Sequence, residues 1–180
     1  MGKIVSNFFI SLDGVVESPD QWHFPYWSDE MAGAVGGGFE TTDAMLMGRT
    51  LYDEWAAYWP TSTDEPVASM FNEMPKFVLS STLRTADWNN TEVVGGVDAV
   101  AEIRALKDRI QRDISMSGSA TTVRWLLDNG LLDELRLLVH PVVVGKGQRL
   151  FEGDGSLHGL RLVTSETFET GVLNLAYVPV

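Results

Sequence analysis

The sequence predicts an α/β protein with a mixed β-sheet, and two features of the chain favour this class. Between residues 3 and 130, apolar runs rich in β-branched and aromatic residues alternate with segments of helical apolar spacing. After residue 130, strand-like runs follow one another without an intervening helix. This order predicts parallel strands joined by helices, followed by an antiparallel end to the sheet.

The first predicted elements are a strand, a loop and a helix. Residues 3–12 (KIVSNFFISL) form an apolar run that ends at the turn dipeptide Asp13-Gly14, which predicts a buried strand. Residues 15–27 hold two prolines and several aromatic residues, which indicates a loop lying over an apolar surface. A helix is predicted from the N-cap residue Ser28 to the three glycines at 36–38.

The remaining elements follow from the same patterns. A strand is predicted at 44–47 and a helix at 50–55. The later segments are a helix at 64–73, strands at 76–81 and 91–95, a helix at 98–109, a strand at 113–118, a helix at 119–130 and strands at 134–145, 160–169 and 172–180. The last two strands should form a hairpin near Thr170-Gly171, and we expect a single domain over residues 1–180.

Composition and charge exclude several function classes. The absence of cysteine excludes disulfides and cysteine nucleophiles, and the three histidines lack metal-ligand spacing, so we predict no metal site. The formal net charge of -12 argues against general binding to nucleic acid or anionic membranes. No apolar run approaches the roughly 18 residues of a membrane span, and the first residues do not resemble a signal peptide, so we expect a cytoplasmic protein.

Two strand-to-helix junctions are candidate anion sites. In MLMGRT (residues 45–50) and ISMSGSATT (114–122), a buried strand ends at glycine where a helix should begin. The first turn of a helix offers free backbone N–H groups and the positive end of the helix dipole. A third strand end, in FVLSSTLR (77–84), is followed by polar residues. Ligands of open α/β sheets bind at the carboxyl ends of the strands, so these junctions should line one crevice.

Several of these segments carry a family resemblance over almost the whole chain. They are FISLDG, LMGRTLYDEW, FVLSSTL, MSGSATTVRWLLDNGLLDEL, HPVVVGKGQRLF and LVTSETFETGVLNLAYVP. Together they resemble the dihydrofolate-reductase-like family, and most of all the C-terminal reductase domain of the bifunctional riboflavin-biosynthesis deaminase/reductase. The resemblance implies a three-layer α/β/α fold with a mostly parallel sheet of about eight strands, and NADPH as the hydride donor.

The resemblance also implies the cofactor contacts. They are Gly48, Arg49 and Thr50 for the cofactor phosphates, Ser80, Ser81 and Arg84 for the adenosine 2′-phosphate, and Gly118, Ser119, Ala120 and Thr121 for the pyrophosphate. A planar guanidinium presents paired donors to phosphate oxygens, which would explain the arginine at the strand end. Related reductases further imply a cis peptide between Ser117 and Gly118.

The substrate side matches the family less well. QWHFP resembles the active-site loop of dihydrofolate reductase, so Trp22 and Phe24 are candidate walls for a flat heterocycle. The acid that the folate enzyme uses would fall at Trp27, which argues against folate reduction. The candidate catalytic acids are therefore Asp29 and Glu30, and Asp13 is a candidate for both catalysis and substrate binding.

These observations support one leading hypothesis and several alternatives. The leading hypothesis is an NADPH-dependent reductase of a small heterocycle, most like 5-amino-6-(5-phosphoribosylamino)uracil reductase of riboflavin biosynthesis. The alternatives are a dihydrofolate or pteridine reductase, a non-catalytic nucleotide-binding module, and a structural dimer-forming domain. The predicted partners are a small-molecule substrate and a second copy of the chain, which the C-terminal hairpin could bind.

Overall fold

A single eight-stranded sheet organises the computed structural model, which describes residues 1–153 and 155–180. Its strands are β1 (Ile4–Ser11), β2 (Thr42–Gly48), β3 (Lys76–Leu79), β4 (Thr91–Val94), β5 (Asp113–Met116), β6 (Glu134–His140), β7 (Leu160–Thr167) and β8 (Leu173–Pro179). Their order is β4-β3-β2-β5-β1-β6-β8-β7. The first six are mutually parallel, and β8 is antiparallel to both β6 and β7. The predicted mixed sheet with an antiparallel end is confirmed.

Helices cover both faces of the sheet. They are α1 (Asp29–Glu40), α2 (Arg49–Tyr58), α3 (Val67–Glu73), α4 (Ala99–Arg109) and α5 (Ala120–Asp128), with 3-10 turns at Pro19–Gln21, Phe24–Tyr26 and Trp59–Thr61. Helices α4 and α5 pack with Ile4 and Phe8 of β1, on what we call the back face. Helices α1, α2 and α3 contribute to two other apolar clusters on the opposite, front face. The three-layer arrangement is therefore present.

The front-face helices depart from the predicted boundaries. Helix α1 was expected to stop at Gly36–Gly38, but it continues to Glu40 because Val35 and Phe39 pack against the front-face clusters. Packing of an apolar stripe outweighs the low helix propensity of glycine. Helix α2 likewise runs past the predicted end at residue 55, because Trp55 packs into the same layer.

The last strands show one boundary error and one confirmed hairpin. Strand β6 ends at His140, before Pro141, and not at residue 145 as predicted. Residues 142–150 instead bond to the segment after β1, through Leu12 N–H to Val142 O and Val16 N–H to Gln148 O. The turn between β7 and β8 closes with Phe168 N–H donating to Val172 O. In the part of the chain that is described, no helix has the length and apolar character to cross a membrane.

Candidate functional site

The carboxyl ends of β2 and β5 form a topological switch point. These two strands are neighbours, but α2 leaves β2 over the front face while α5 leaves β5 over the back face. The two helices therefore diverge from neighbouring strand ends, and open α/β sheets bind ligands in the crevice outside such a point. Gly48 lies immediately before α2, and Ser119 caps α5 by accepting a hydrogen bond from Thr122 N–H at 3.4 Å.

Gly48 brings the two junctions into direct contact. A Cβ atom at this position would lie 2.4 Å from Thr122 Oγ1 and 3.0 Å from Ser119 Oγ, so only glycine fits without movement of α5. Gly118 has a φ of +127°, a conformation that side chains rarely adopt. The cis peptide lies between Gly118 and Ser119, one residue later than the Ser117–Gly118 bond that the resemblance implied.

The third predicted junction lies at the same edge. Leu79 pairs with Gly48 across β2 and β3, so Ser80 emerges beside the start of α2. The Ser80 hydroxyl accepts hydrogen bonds from Thr82 N–H at 3.2 Å and Leu83 N–H at 3.1 Å, which fixes the turn. Ser81 and Arg84 are exposed at this turn. The edge therefore gathers all three groups that the sequence proposed for the cofactor.

Arg49 begins α2 and points into solvent. Its Nε donates to both carboxylate oxygens of Asp53, at 2.8 and 2.7 Å. The side chains of this pair are 43% and 51% exposed, so the pair contributes only about 0.3–0.5 kcal/mol. Among the described residues, none accepts a hydrogen bond from Nη1 or Nη2. The guanidinium therefore has donors available for an anion at the crevice.

The other predicted cofactor residues differ in exposure. Thr50 and Thr121 are exposed at the starts of their helices, where their hydroxyl and backbone groups can reach a ligand. Ala120 is 1% exposed and packs into the back-face core, so its side chain supports α5 and can offer only its backbone to a ligand.

A polar strip on the front face extends the crevice, and the sequence did not reveal it. Strand β1 pairs with β5 only as far as Ser6 with Met116, whereas its pairing with β6 continues to Ser11 with His140. Asn7 lies where β1 and β5 separate, and its Nδ2 donates to Ser115 Oγ at 3.2 Å. The available signal was Asn7 between the apolar residues Val5 and Phe9, which share its face of the strand. The run KIVSNFFISL as a whole indicated only a buried strand.

Asp13 is held as a structural carboxylate. It accepts hydrogen bonds from Ser11 Oγ at 2.7 Å, Val144 N–H at 3.0 Å and Gly145 N–H at 2.8 Å. These bonds, that of Ser11 most of all, lower the pKa of Asp13 to about 2. The carboxylate is ionised near neutral pH, so it is a poor proton donor. Its geometry argues against the predicted catalytic role and for a clamp on residues 142–150.

The two acids at the start of α1 also lack a catalytic environment. Glu30 accepts a hydrogen bond from Glu169 N–H at 2.9 Å, which directs its carboxylate toward the turn between β7 and β8. Asp29 is exposed in the first helical turn, where a negative charge favours the helix dipole. Both residues are exposed to solvent. The catalytic roles of Asp29 and Glu30 therefore stay predictions, and these contacts lend them no support.

In the aromatic loop, the buried residue is His23, whereas Trp22 and Phe24 were the residues predicted to line the substrate pocket. Trp22 is half-buried, and its Nε1 donates to Glu17 O at 3.2 Å, whereas Phe24 is 64% exposed. The buried residue between them is His23, whose ring stacks on Phe9 of β1 at 4.7 Å and an interplanar angle of 7°. Phe9 is two residues beyond Asn7 on the same face of the strand. The loop therefore places an imidazole next to the polar strip.

Two surface concavities lie away from this crevice. One of about 350 Å³ lies between α5 and residues 151–153 and 155–158, and one of about 650 Å³ lies beside Lys76 and Trp88 at the amino ends of β3 and β4. Neither is lined by any residue of the three junctions. The crevice is therefore identified by its topology and its backbone donors, and not by its volume.

Comparisons with known proteins agree with the fold and show the family. The model of the RibD C-terminal domain family matches residues 2–174. The uncharacterized protein YyaP of Bacillus subtilis (strain 168) is 31% identical over 180 residues, which cover 97% of this chain and 94% of YyaP. Among solved structures, a Shewanella sp. PV-4 protein provisionally named for riboflavin biosynthesis is 22% identical, with a TM-score of 0.76 and 99% of both chains covered. Dihydrofolate reductase from Enterococcus faecalis, solved with NADP(H), is 16% identical, with a TM-score of 0.63 and coverage of 99% and 96%.

Proposed function

The chain belongs to the RibD C-terminal domain family, and from this membership we propose that it is an NADPH-dependent reductase of a small heterocycle. Family membership supports a reductase of the riboflavin-pathway type. The cofactor and the substrate are our proposals, and the cofactor is argued from the geometry of the crevice. We expect this reductase to work in the cytoplasm.

The observation that carries the proposal is the contact between Gly48 and the start of α5. Two helix N-termini meet there, and the space that a Cβ would fill at Gly48 is closed by Ser119 and Thr122. Glycine at residue 48 thus lets the two helix starts come together, and backbone N–H groups at such starts bind phosphates. The residues present therefore fit the diphosphate of a dinucleotide, with Arg49 near the phosphates and Ser81 and Arg84 near the adenosine end.

Each part of the crevice has a role in this reaction. The helix starts hold the phosphates, and the polar strip of Asn7 and Ser115 offers hydrogen bonds to the polar edge of a heterocycle. The bound nicotinamide supplies the hydride. Because Asp13 is ionised and Glu30 is turned away, we assign delivery of the proton to water in the crevice.

The family favours one substrate over the others. A phosphoribosylamino pyrimidine, the substrate of 5-amino-6-(5-phosphoribosylamino)uracil reductase, is our leading proposal because the chain matches the reductase part of RibD. A pteridine ranks second, because Trp27 occupies the place of the acid that a folate enzyme needs. A non-catalytic nucleotide-binding module is the remaining alternative, and it would bind NADPH without oxidising it.

The test has two steps. First, the protein is titrated with NADPH and with NADH while its tryptophan fluorescence is measured. Second, oxidation of the nucleotide is assayed with pyrimidine and pteridine candidates as substrates. We expect NADPH to bind and to be oxidised in the presence of the pyrimidine. Lack of affinity for either nucleotide would exclude both the reductase and the binding module. Binding without turnover of any candidate would favour the module.

Matched variants test the location of the site. We expect Gly48→Ala to weaken NADPH binding, whereas Gly33→Ala, where nothing lies within 4 Å of the new Cβ, leaves it unchanged. Arg49→Ala should weaken binding by about tenfold, while Arg161→Ala in the exposed edge strand β7 has no effect. Equal affinity of Arg49→Ala and the wild type would remove that residue from the site.

A further inference from the structure

Two buried histidines form the centre of an aromatic box beside the polar strip. His23 is 6% exposed, His140 is 0% exposed, and their ring centroids are 6.2 Å apart. The box, as we call it, consists of the rings packed around them: Phe9, Trp22, Phe24, Tyr26 and Trp27. It joins the loop before α1 to strands β1 and β6, and the proposed reaction does not use it.

Few hydrogen bonds reach the two imidazoles. Nδ1–H of His140 donates to Leu138 O at 2.8 Å, which leaves Nε2 with its lone pair. This Nε2 and Nδ1 of His23 are buried, and no described residue is a hydrogen-bond partner for either atom. The backbone groups of Leu138 and Ile10 favour a charged His140 ring, but burial in the apolar enclosure outweighs them.

The charged surroundings do not compensate for a proton on either ring. Strand β1 contributes Phe9 and strand β6 contributes His140 itself, and among the described residues the other titratable groups beside the pair come from the loop. They are Asp20, which favours a charged His23, and Tyr26, whose hydroxyl donates to Pro141 O at 3.4 Å. Burial lowers the pKa of both histidines below the ordinary 6.5, and for His23 the neighbouring His140 adds to this effect.

The loop depends on the box for its attachment. Two described hydrogen bonds leave residues 18–27: Trp22 Nε1–H donates to the adjacent Glu17 O, and the Tyr26 hydroxyl donates to Pro141 O. The other bonds of this segment close its own two 3-10 turns. Packing of His23 and its aromatic neighbours is therefore the main interaction that holds the segment on the front face.

We propose that neutral His23 and His140 are positioning residues that latch residues 18–27 over the polar strip, and that protonation of the pair releases the loop. Above pH 6.5 both imidazoles are neutral and the latch is closed. The pKa of each histidine is lower when the loop is closed than when it is released. As the pH falls below 6.5, the histidines therefore take up protons more readily in the released state, and acidification favours release. The latch does not require a bound nucleotide, so its test is independent of the proposed function.

The experiment follows fluorotryptophan resonances by ¹⁹F NMR between about pH 7.5 and about pH 5. The chain has 6 tryptophans, and Trp22 and Trp27 report on the box, whereas Trp88 is buried in a separate front-face cluster. We expect the first two resonances to shift together, with a midpoint below 6.5, while that of Trp88 stays constant. Constant Trp22 and Trp27 resonances over this range would overturn the proposal.

Variants distinguish protonation of His23 and His140 from other effects of low pH on the protein. His23→Phe combined with His140→Phe keeps rings in the box but cannot take up protons, so it should abolish the pH-dependent shift. The control is His158→Gln, which removes the third histidine and its contact with Asp128, and should keep the shift. A transition that persists in the double variant would overturn the proposal.

A measurement on the wild type covers the case in which the double variant fails to fold. Amide exchange, corrected for its intrinsic pH dependence, should show protection in residues 18–27 falling by about tenfold across the transition. Protection in α5 should remain unchanged over the same range. Equal protection of the loop at both ends of the range would contradict the latch.

Discussion

At the residue scale, Lys76 shows how a charged side chain can serve the fold alone. It is fully buried, and its Nζ donates to Phe71 O at 2.7 Å, Asn72 O at 3.2 Å and Met74 O at 2.7 Å. Trp88 lies beneath the ammonium at 4.4 Å. The lysine thus satisfies carbonyl groups at the end of α3 that would otherwise have no donor. Its burial is explained without any catalytic role.

We predict that Lys76→Met lowers the free energy of unfolding by about 2–4 kcal/mol, because it leaves buried carbonyl groups without a donor. Urea unfolding followed by circular dichroism measures the change. Lys3→Met is the matched control, since Lys3 is exposed, and it should stay within about 0.5 kcal/mol of the wild type. Similar stability of both variants would contradict the assigned role of Lys76.

Asp13 gives a second prediction at this scale. We expect Asp13→Asn to raise amide exchange at Val144 and Gly145, because an amide is a weaker acceptor than a carboxylate. The folded pKa of about 2 is below the ordinary 3.8, so this stabilisation is complete above 3.8 and is lost as the pH falls toward 2. The control is Asp108→Asn, at an exposed position of α4. Unchanged exchange together with a lost turnover would instead favour a catalytic Asp13.

Several site residues could be predicted from the sequence, and others could not. Gly48 and Gly118 stood out because a glycine between a strand and a helix is a local signal. Asn7 and His23 gave no such signal, since their importance comes from the separation of β1 and β5 and from the position of the loop. The contacts of two predicted acids were equally hidden: Asp13 and Glu30 lie in clear local motifs, but they accept hydrogen bonds from Val144 and Glu169, more than 100 residues away.

At the element scale, most strands were predictable and helix ends were not. Strands β1 and β2 are apolar enough to identify from their own residues, whereas α1 continues through three glycines because of packing that local propensity cannot reveal. The end of β6 followed a local rule, since proline cannot donate to the ladder, yet the apolar residues 142–144 suggested a longer strand. Tertiary contacts decided the end of α1, and proline decided the end of β6.

Helix α1 provides a prediction at this scale. Gly36→Ala combined with Gly37→Ala should stabilise the protein by about 1–2 kcal/mol, because alanine restricts the unfolded chain and favours the helix. Both glycines are exposed, and nothing lies within 4 Å of the new Cβ atoms. The midpoint of thermal unfolding measures this effect. A lower midpoint would mean that the glycines have a role that their surroundings do not show.

At the scale of the whole molecule, the two ends of the sheet differ. Strand β7 is an edge strand, and all its residues after Leu160 are exposed, including Leu162 at 47% and Val163 at 45%. An exposed apolar edge is a template for pairing with another chain. We therefore propose, as the sequence suggested, that a second copy of the chain covers this end of the sheet.

The prediction is that the wild type is a dimer and that Leu162→Arg with Val163→Arg is a monomer. Analytical ultracentrifugation measures the mass of each protein in solution. Val97→Arg is the control, because Val97 is fully exposed just after β4, at the opposite end of the sheet, and should leave the mass unchanged. A monomeric wild type would contradict the proposed pairing.

The contact at Gly48 has a consequence for how the molecule melts. The front and back layers of helices are separated by the sheet, and the starts of α2 and α5 meet at this glycine. A dinucleotide bound to the starts of both helices would make the two helix layers unfold together, in one cooperative transition. Calorimetry with NADPH should therefore show a single, sharper transition at higher temperature, and not protection of one layer alone.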